Sequence, residues 1–528
     1  MLANLLAIAA LQSSPPLYFE PVFDTTVIAA ADRLDDPTDI VAFPGDDRIF
    51  ATQERGKVRI IQGDQLLQQP FVDLVSLPGT SLNLNLLGIT LHPAFDVNGF
   101  VYLWYWDRDS SPTGSMRLAR ITAGSLDPNV ADPATWVELL SVPVEAGIHF
   151  GGRIAFGPDG MFWIGVGDGE TTTAPTCSSQ DMTRLAGKML RIDVDSGFPY
   201  VVPPDNPFVG VPGVAPEIVH SGLRHPWKWS FDDVTGDLWI GEIGGSLREE
   251  VNFAAAGEFG LNFGWPAMEG SLCQDSSGCQ VSTLACDDPA YTDPVFEYPH
   301  NPGCAITGGL VYSGDAVPWL RGWFLCADLC TNQMWRIRRT PLGDFEVVEQ
   351  PVVADFQFPS AWSSVAFAAD GFGELLFLDY QEDVVRRLRG ACAAERTCDG
   401  ALNVTGLDAK IRWIGSTSLG ISAATVYVTD LPAFSPALLF YGPLDDLVSM
   451  GNGSLCVGGT LSRASVDMAD GSGTSQFDLD FSVAPFSAGP GRIDPGSTWT
   501  FQAWYRDVGG PLGATFNFSG ATRVTFCL

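Results

Sequence analysis

A repeat constrains this chain more than any other feature of it. Six units follow one another, beginning at Ile40, Leu87, Arg153, Trp229, Thr307 and Ser364. Each is a short apolar strand, a turn of Pro, Asp or Gly, a second strand rich in Trp, Phe, Ile and Leu, and then a third. The third unit is the clearest: Arg153-Ile-Ala-Phe-Gly-Pro-Asp-Gly-Met-Phe-Trp-Ile-Gly-Val-Gly-Asp-Gly, followed by Gly187-Lys-Met-Leu-Arg-Ile-Asp. A small antiparallel sheet with two apolar faces cannot cover both by itself, so neighbouring units must stack face to face. The expected fold is all-β: a six-bladed β-propeller followed by a small β-sandwich domain. A strand within residues 17–27 is expected to pair with the last blade and close the ring. An open array of sandwiches is the alternative, and the regular turn spacing argues against it.

The unit pattern stops near residue 390. Residues 391–406 hold Cys392, Cys398, Gly400 and Gly406 and read as a linker. Beyond it, alternating stretches such as Ala423-Ala-Thr-Val-Tyr-Val-Thr and Phe477-Asp-Leu-Asp-Phe read as short strands between Gly, Pro and Ser turns. The expected division is therefore a signal peptide over 1–16, a propeller over 17–390, a linker over 391–406 and a β-sandwich module over 407–528. That module contains no histidine, and attachment to a cell surface is its expected use. Long insertions at 171–185, 198–216 and 268–302 fall between propeller strands, where loops on a rigid ring carry function.

Composition narrows the setting. Lys and Arg total 29 against 62 Asp and Glu, a net charge of −33. Such a chain is repelled by nucleic-acid phosphates, so nucleic acid is excluded as a partner. A hard cation such as Ca²⁺ suits it better. The start, Met1-Leu-Ala-Asn-Leu-Leu-Ala-Ile-Ala-Ala-Leu, is apolar over a signal-peptide length and ends in the small Ala9 and Ala10, though it has no basic flank. No other stretch is long and apolar enough to span a bilayer. The 11 cysteines form no CxxC pair, which fits disulfides in an oxidising compartment. Cys273 with Cys279, and Cys392 with Cys398, are spaced to close short loops; the odd count leaves at least one thiol over. The expected location is secreted, periplasmic or cell-surface.

All five histidines lie in the propeller. His92 sits in a Leu-His-Pro turn and reads as structural. His149 opens Ile148-His-Phe-Gly-Gly-Arg just before an innermost strand, where Gly151 and Gly152 allow close approach. An imidazole there suits a general base; a structural histidine is the plainer reading. Arg224, in His220-Ser-Gly-Leu-Arg-His-Pro-Trp, stands at the matching place of the next blade. It can orient an anionic or carbonyl oxygen, or simply pair with a carboxylate. The glycines of Gly241-Glu-Ile-Gly-Gly-Ser can turn backbone carbonyls onto a cation, or form an ordinary turn.

Taken together, several motifs carry a family resemblance. They are Leu86-Leu-Gly-Ile-Thr-Leu-His-Pro, His149-Phe-Gly-Gly-Arg, Gly187-Lys-Met-Leu-Arg-Ile-Asp, Pro204-Asp-Asn-Pro-Phe, Gly222-Leu-Arg-His-Pro-Trp, Thr235-Gly-Asp-Leu-Trp-Ile-Gly-Glu and Asn262-Phe-Gly-Trp-Pro. Over residues 20–390 the chain resembles the soluble quinoprotein glucose/sorbosone (aldose sugar) dehydrogenases. The resemblance implies a six-bladed propeller with pyrroloquinoline quinone (PQQ) and Ca²⁺ at the channel mouth. It further implies a sugar substrate oxidised to its lactone, and an external electron acceptor. His149 then matches the base and Arg224 the arginine on the quinone oxygens. Gly244 and Gly245 match the carbonyls that hold Ca²⁺, and Asn83, Arg153 and His225 also fall against the cofactor.

The departures from that family are specific. His225 stands where Asn often follows the arginine. Asn83 is the nearest equivalent of the acid or amide before Leu-Leu-Gly. Cys330, Ala361 and Ser363 match positions where glucose-type members carry a lysine and two arginines against the cofactor carboxylates. Burying those carboxylates without cations is costly, and the chain has only four lysines. The stretch from Thr307 to Cys330 resembles the hedgehog-interacting-protein-like branch instead. That branch implies a Cys304–Cys330 disulfide and allows a propeller that binds carbohydrate or protein without catalysis.

Overall fold

The computed structural model describes residues 23–526 except 29–32, 64, 109–112, 145–146, 171–176, 275–284, 287, 315–316, 318–319, 332, 351–363, 372, 381, 391–393, 416, 418, 420–422 and 495–496. The proposed signal peptide, Ala361, Ser363, Cys279, Cys392 and Cys527 lie outside the described residues.

Six antiparallel sheets follow the six sequence units. Their innermost strands are Pro37–Ala42, Leu84–Leu91, Ile154–Phe156, Pro226–Phe231, Ile306–Val311 and Ser364–Ala369. These define blades 1 to 6. The sixth sheet is completed by Phe23–Ile28, which pairs with Val384–Gly390 from Phe23 against Gly390 to Ile28 against Val385. The ring is therefore closed by a strand from before blade 1, as the sequence suggested.

Packing follows from the two-residue period of a strand, which sends alternate side chains to opposite faces. In Arg48–Gln53, Phe50 joins a buried cluster with blade 2, through Leu86, Ile89 and Leu103. Its neighbours Ile49 and Ala51 join a different cluster with blade 6, through Ala366, Leu376 and Leu378. Trp239 likewise packs with Phe324 and Ile337 of blade 5, while Leu238 and Ile240 pack with Trp163 and Met189 of blade 3. The other two junctions are filled in the same way, blade 2 on blade 3 and blade 5 on blade 6. All six junctions thus carry an apolar core, the last-to-first included. A six-bladed propeller accounts for this arrangement and an open array does not.

The C-terminal module is a β-sandwich. A five-stranded sheet runs in the order Ala394–Cys398, Phe516–Thr525, Thr498–Arg506, Pro436–Gly442, Ser462–Met468. It packs on a three-stranded sheet of Lys410–Gly415, Ala423–Thr429 and Ser475–Asp480. Val426, Val428, Phe477 and Leu479 face Leu439, Tyr441, Phe501 and Tyr505 in one buried cluster. One boundary differs from expectation. Residues 394–398, expected in a linker, form an edge strand of the sandwich, paired with residues 521–524.

Disulfide pairing follows the fold rather than proximity in sequence. Cys273 bonds to Cys286, not Cys279, and Cys398 bonds to Cys456, not Cys392. In the second case the two strands that bear the cysteines both lie against the strand ending the module. Cys304 and Cys330 are bonded, with Cα atoms 5.7 Å apart. Among the described residues the free thiol is the buried Cys326. No helix of the described residues is long and apolar enough to cross a membrane.

Candidate active site at the channel mouth

The starts of the innermost strands of blades 3 and 4 bring His149, Arg224 and His225 together. His149 has φ of 50°, a left-handed backbone that costs a non-glycine residue about 1 kcal/mol or more and must be imposed by its surroundings. Each residue of its segment is held from a different side. The Gly169 amide donates to the His149 carbonyl at 3.3 Å. Trp104 Nε1 donates to the Phe150 carbonyl at 3.4 Å, and the Phe150 ring stacks on Trp106. The Gly151 amide donates to His225 Nδ1 at 3.2 Å. A side chain at Gly152 would collide with the Trp227 ring, so only glycine fits there.

His149 Nδ1 lies 2.9 Å from Asp168 Oδ1, and its Nε2 lies 2.9 Å from Arg224 Nη2. A guanidinium can only donate. Nε2 is therefore the lone-pair nitrogen, and Nδ1 carries the proton given to Asp168. Asp168 is buried at 2% exposure. It also accepts from the Glu170 amide at 3.0 Å and from Trp265 Nε1 at 3.0 Å. Burial pushes its carboxyl upward, against the bond and charge of His149, which act to lower it.

Arg224 is buried and lies with its guanidinium carbon 5.4 Å from the centre of the Trp265 ring. Its Nη1 donates to the Ile243 carbonyl at 3.1 Å, while its Nε is buried with no hydrogen-bond partner. Glu242 Oε1 accepts the amides of Arg224 and His225 at 2.5 and 2.8 Å, which fixes the start of blade 4. Burial, and then Glu250 across the strand pair, hold the Glu242 carboxyl well above its usual range. The His225 ring centre is 5.6 Å from that of His149. Burial, reinforced by His149, Arg224 and Lys228, keeps His225 well below its ordinary value and so neutral.

Gly244 and Gly245 form a turn whose amides face inward. Glu269 Oε1 accepts the amides of Gly245, Ser246, Leu247 and Arg248 at 2.6, 2.7, 2.8 and 3.1 Å. A side chain at Gly244 would run into the Arg248 carbonyl. No described hydrogen bond ends on the carbonyls of Gly244 and Gly245. Among the described residues no group of three His, Cys, Asp or Glu side chains is arranged to hold a metal.

The remaining expected residues lie apart. Asn83 lines a cavity of about 530 Å³ with Asp36, Glu54, Arg55 and Asn85, between blades 1 and 2 at the same end of the strands. Arg153 turns inward, its Nη1 donating to the Phe367 carbonyl at 3.2 Å. Cys330 is a half-cystine and carries no charge. Sequence reasoning did not single out Asp168, Trp265 or Glu242 as functional. Asp168 stood in plain view at the end of Ile164-Gly-Val-Gly-Asp, and Trp265 in Asn262-Phe-Gly-Trp-Pro. Only the fold brings these two motifs onto one histidine.

With a propeller, a His–Asp pair and a stacked arginine in place, comparison with known proteins gives the class. The model of the Glucose / Sorbosone dehydrogenase family matches residues 34–356, and the chain belongs to that family. It is similar to the HIPL2 protein of Arabidopsis thaliana, 28% identical over 57% of this chain and 52% of that protein. It is also similar to the aldose sugar dehydrogenase YliI of Escherichia coli, 27% identical over 56% of this chain and 76% of that protein. The chain spans about half the length of the plant relatives it matches. In fold it is similar to the soluble aldose sugar dehydrogenase of Escherichia coli in its apo form. There the TM-score is 0.57 at 21% identity, over 70% of this chain and 99% of that one.

Proposed function

We propose that the chain is an exported sugar oxidoreductase that converts an aldose to its lactone, using PQQ and Ca²⁺ at the mouth of the propeller. One observation carries the reading. His149 presents an unprotonated Nε2 at the mouth while its other nitrogen is committed to a buried carboxylate.

In this reading the anomeric hydroxyl of the sugar takes the place of Arg224 on Nε2 and gives its proton to His149. Asp168 then stabilises the imidazolium and keeps the ring in its tautomer, as an orienting carboxylate does in hydrolytic triads. PQQ, where bound, would supply the acceptor for the C1 hydrogen and its electron pair, leaving C1 as the lactone carbonyl. Arg224, freed from the base and backed by Trp265, turns its donors to the oxygens of the acceptor. Ca²⁺ on the carbonyls of Gly244 and Gly245 would polarise that two-electron acceptor. The described disulfides fit an oxidising compartment.

A second reading, a propeller that binds carbohydrate or protein without turnover, is favoured by one feature. The fifth-blade position matched to the glucose-type lysine is a disulfide-bonded cysteine. His149→Ala in the protein supplied with PQQ and Ca²⁺ separates the two. Sugar-dependent reduction of an artificial acceptor by the wild type, lost in the variant while cofactor binding stays, supports the enzyme. A wild type that reduces nothing with any aldose, yet binds glycan or protein equally with and without His149, supports the binder.

A further inference from the structure

Below the mouth, the channel is occupied by charge contributed by the blades themselves. Asp39 on the innermost strand of blade 1 and Lys228 on that of blade 4 are both fully buried. Lys228 Nζ lies 3.1 Å from Asp39 Oδ1. The same ammonium donates to the Gly152 carbonyl at 2.5 Å and to the Leu87 carbonyl of blade 2 at 3.2 Å. Asp39 Oδ2 accepts the Ile89 amide at 3.2 Å. Arg153 Nη1 stands 4.0 Å from Asp39 Oδ1 while it donates to Phe367 of blade 6. In blade 5, Gly308 packs so closely on the Lys228 carbonyl that no side chain fits between them. Residues of all six blades therefore meet around this cluster.

An ion pair taken this far from water is costly, and its stability depends on the hydrogen bonds that complete it. Those bonds are unevenly useful to the fold. The apolar junctions already hold the blades together, whereas the Gly152 carbonyl has Lys228 as its described partner. Gly152 ends the segment that begins at His149. Two grips tie that segment to blade 4: His225 on the Gly151 amide and Lys228 on the Gly152 carbonyl. They act beside the Gly169 amide on the His149 carbonyl and Trp104 on the Phe150 carbonyl.

We infer that Lys228, clamped by Asp39, is a positioning residue of the oxidation site, which fixes the turn carrying His149 by holding the carbonyl of Gly152. The inference rests on the reading of His149 as the base, and its test has a readout independent of turnover. Nitrogen-15 labelling of histidine gives signals from only five residues, and the imidazole shifts report the tautomer of each. In the wild type His149 shows the single form protonated at Nδ1.

Lys228→Met takes the close ammonium from the buried Asp39, leaving it the more distant Arg153 at 4.0 Å, and is expected to lose stability. The double variant Asp39→Asn with Lys228→Met removes both charges, recovers most of that stability, and still lacks the grip on Gly152. It is expected to show His149 in mixed tautomers. Its kcat should fall by about a hundredfold, the scale of a misplaced catalytic group, with KM held within about twofold. Lys228→Arg, which can still reach a carbonyl, restores the single tautomer. A double variant that regains stability, the wild-type tautomer and full kcat overturns the inference and leaves the cluster a structural plug. Should the wild type turn over no aldose, the tautomer alone decides the positioning role, and the enzymatic reading fails separately.

Discussion

In the proposed reaction His149 works through the nitrogen it does not use for contact with Asp168. Exchanging that carboxylate for an amide keeps the shape and loses the preference, because an amide can donate to Nδ1 and turn the proton onto Nε2. Asp168→Asn is expected to lower kcat by roughly two to four orders of magnitude with little change in thermal midpoint, read by steady-state kinetics beside calorimetry. His220 behaves differently. It is buried against Trp163 and Phe263 and neither ring nitrogen has a partner. Burial pushes its imidazole down to about 3. The folded form thus resists a proton that the unfolded chain accepts near 6.5, so stability is intact above that pH and is lost as pH falls towards 3. The slope over that window is about 1.4 kcal/mol per pH unit from this one group. His220→Phe is expected to remove that slope, read as a smaller drop in urea midpoint between neutral and acid pH. Residues of this kind divide by legibility. His149, Arg224 and His225 were visible as polar residues in glycine-rich lead-ins to strands. Asp168, Trp265 and Lys228 were not: Asp168 meets His149 across the strands of its own blade, and Trp265 and Lys228 act across blade boundaries, which no local pattern encodes.

Strands were legible because their period is two and their faces are both apolar. Short polar strands were not: Ala394-Glu-Arg-Thr-Cys398 has no apolar alternation and is flanked by cysteine and glycine, so only its pairing with the last strand reveals it. Alternation also sets the energetics of a blade. Phe50 points wholly into the junction of blades 1 and 2, and Phe50→Ala is expected to cost about 3–5 kcal/mol in chemical denaturation. The turn of Gly244–Gly245 is held by charge instead of packing. Four amides on one oxygen of Glu269 fix its path, and charge-assisted bonds of this kind contribute about 1.5–3 kcal/mol each before the buried amides are left unpaired. Glu269→Ala is expected to weaken Ca²⁺ binding at the turn as well as stability, seen by calorimetric titration with the metal.

At the scale of the whole molecule, the ring puts one face to use. His149, the stacked Arg224, the amide-bearing cavity of blades 1 and 2 and the glycine turn all stand at the same ends of the strands. The net charge of −33 surrounds a mouth where Arg224 faces the buried Asp168 and Glu242. Among the described residues a trianionic cofactor would meet Arg224, buried in the site, and a disulfide in the fifth blade. In the proposed reading its binding leans on Ca²⁺ and on Arg224. The most direct measurement is a titration of the metal-free protein with PQQ and Ca²⁺, followed by quinone absorbance and heat. A saturable one-to-one complex that depends on Ca²⁺ and bleaches when an aldose is added is expected. No complex at PQQ concentrations on the order of micromolar, equivalent to less than about 8 kcal/mol of binding, would contradict the enzyme and leave a propeller that binds glycan or protein.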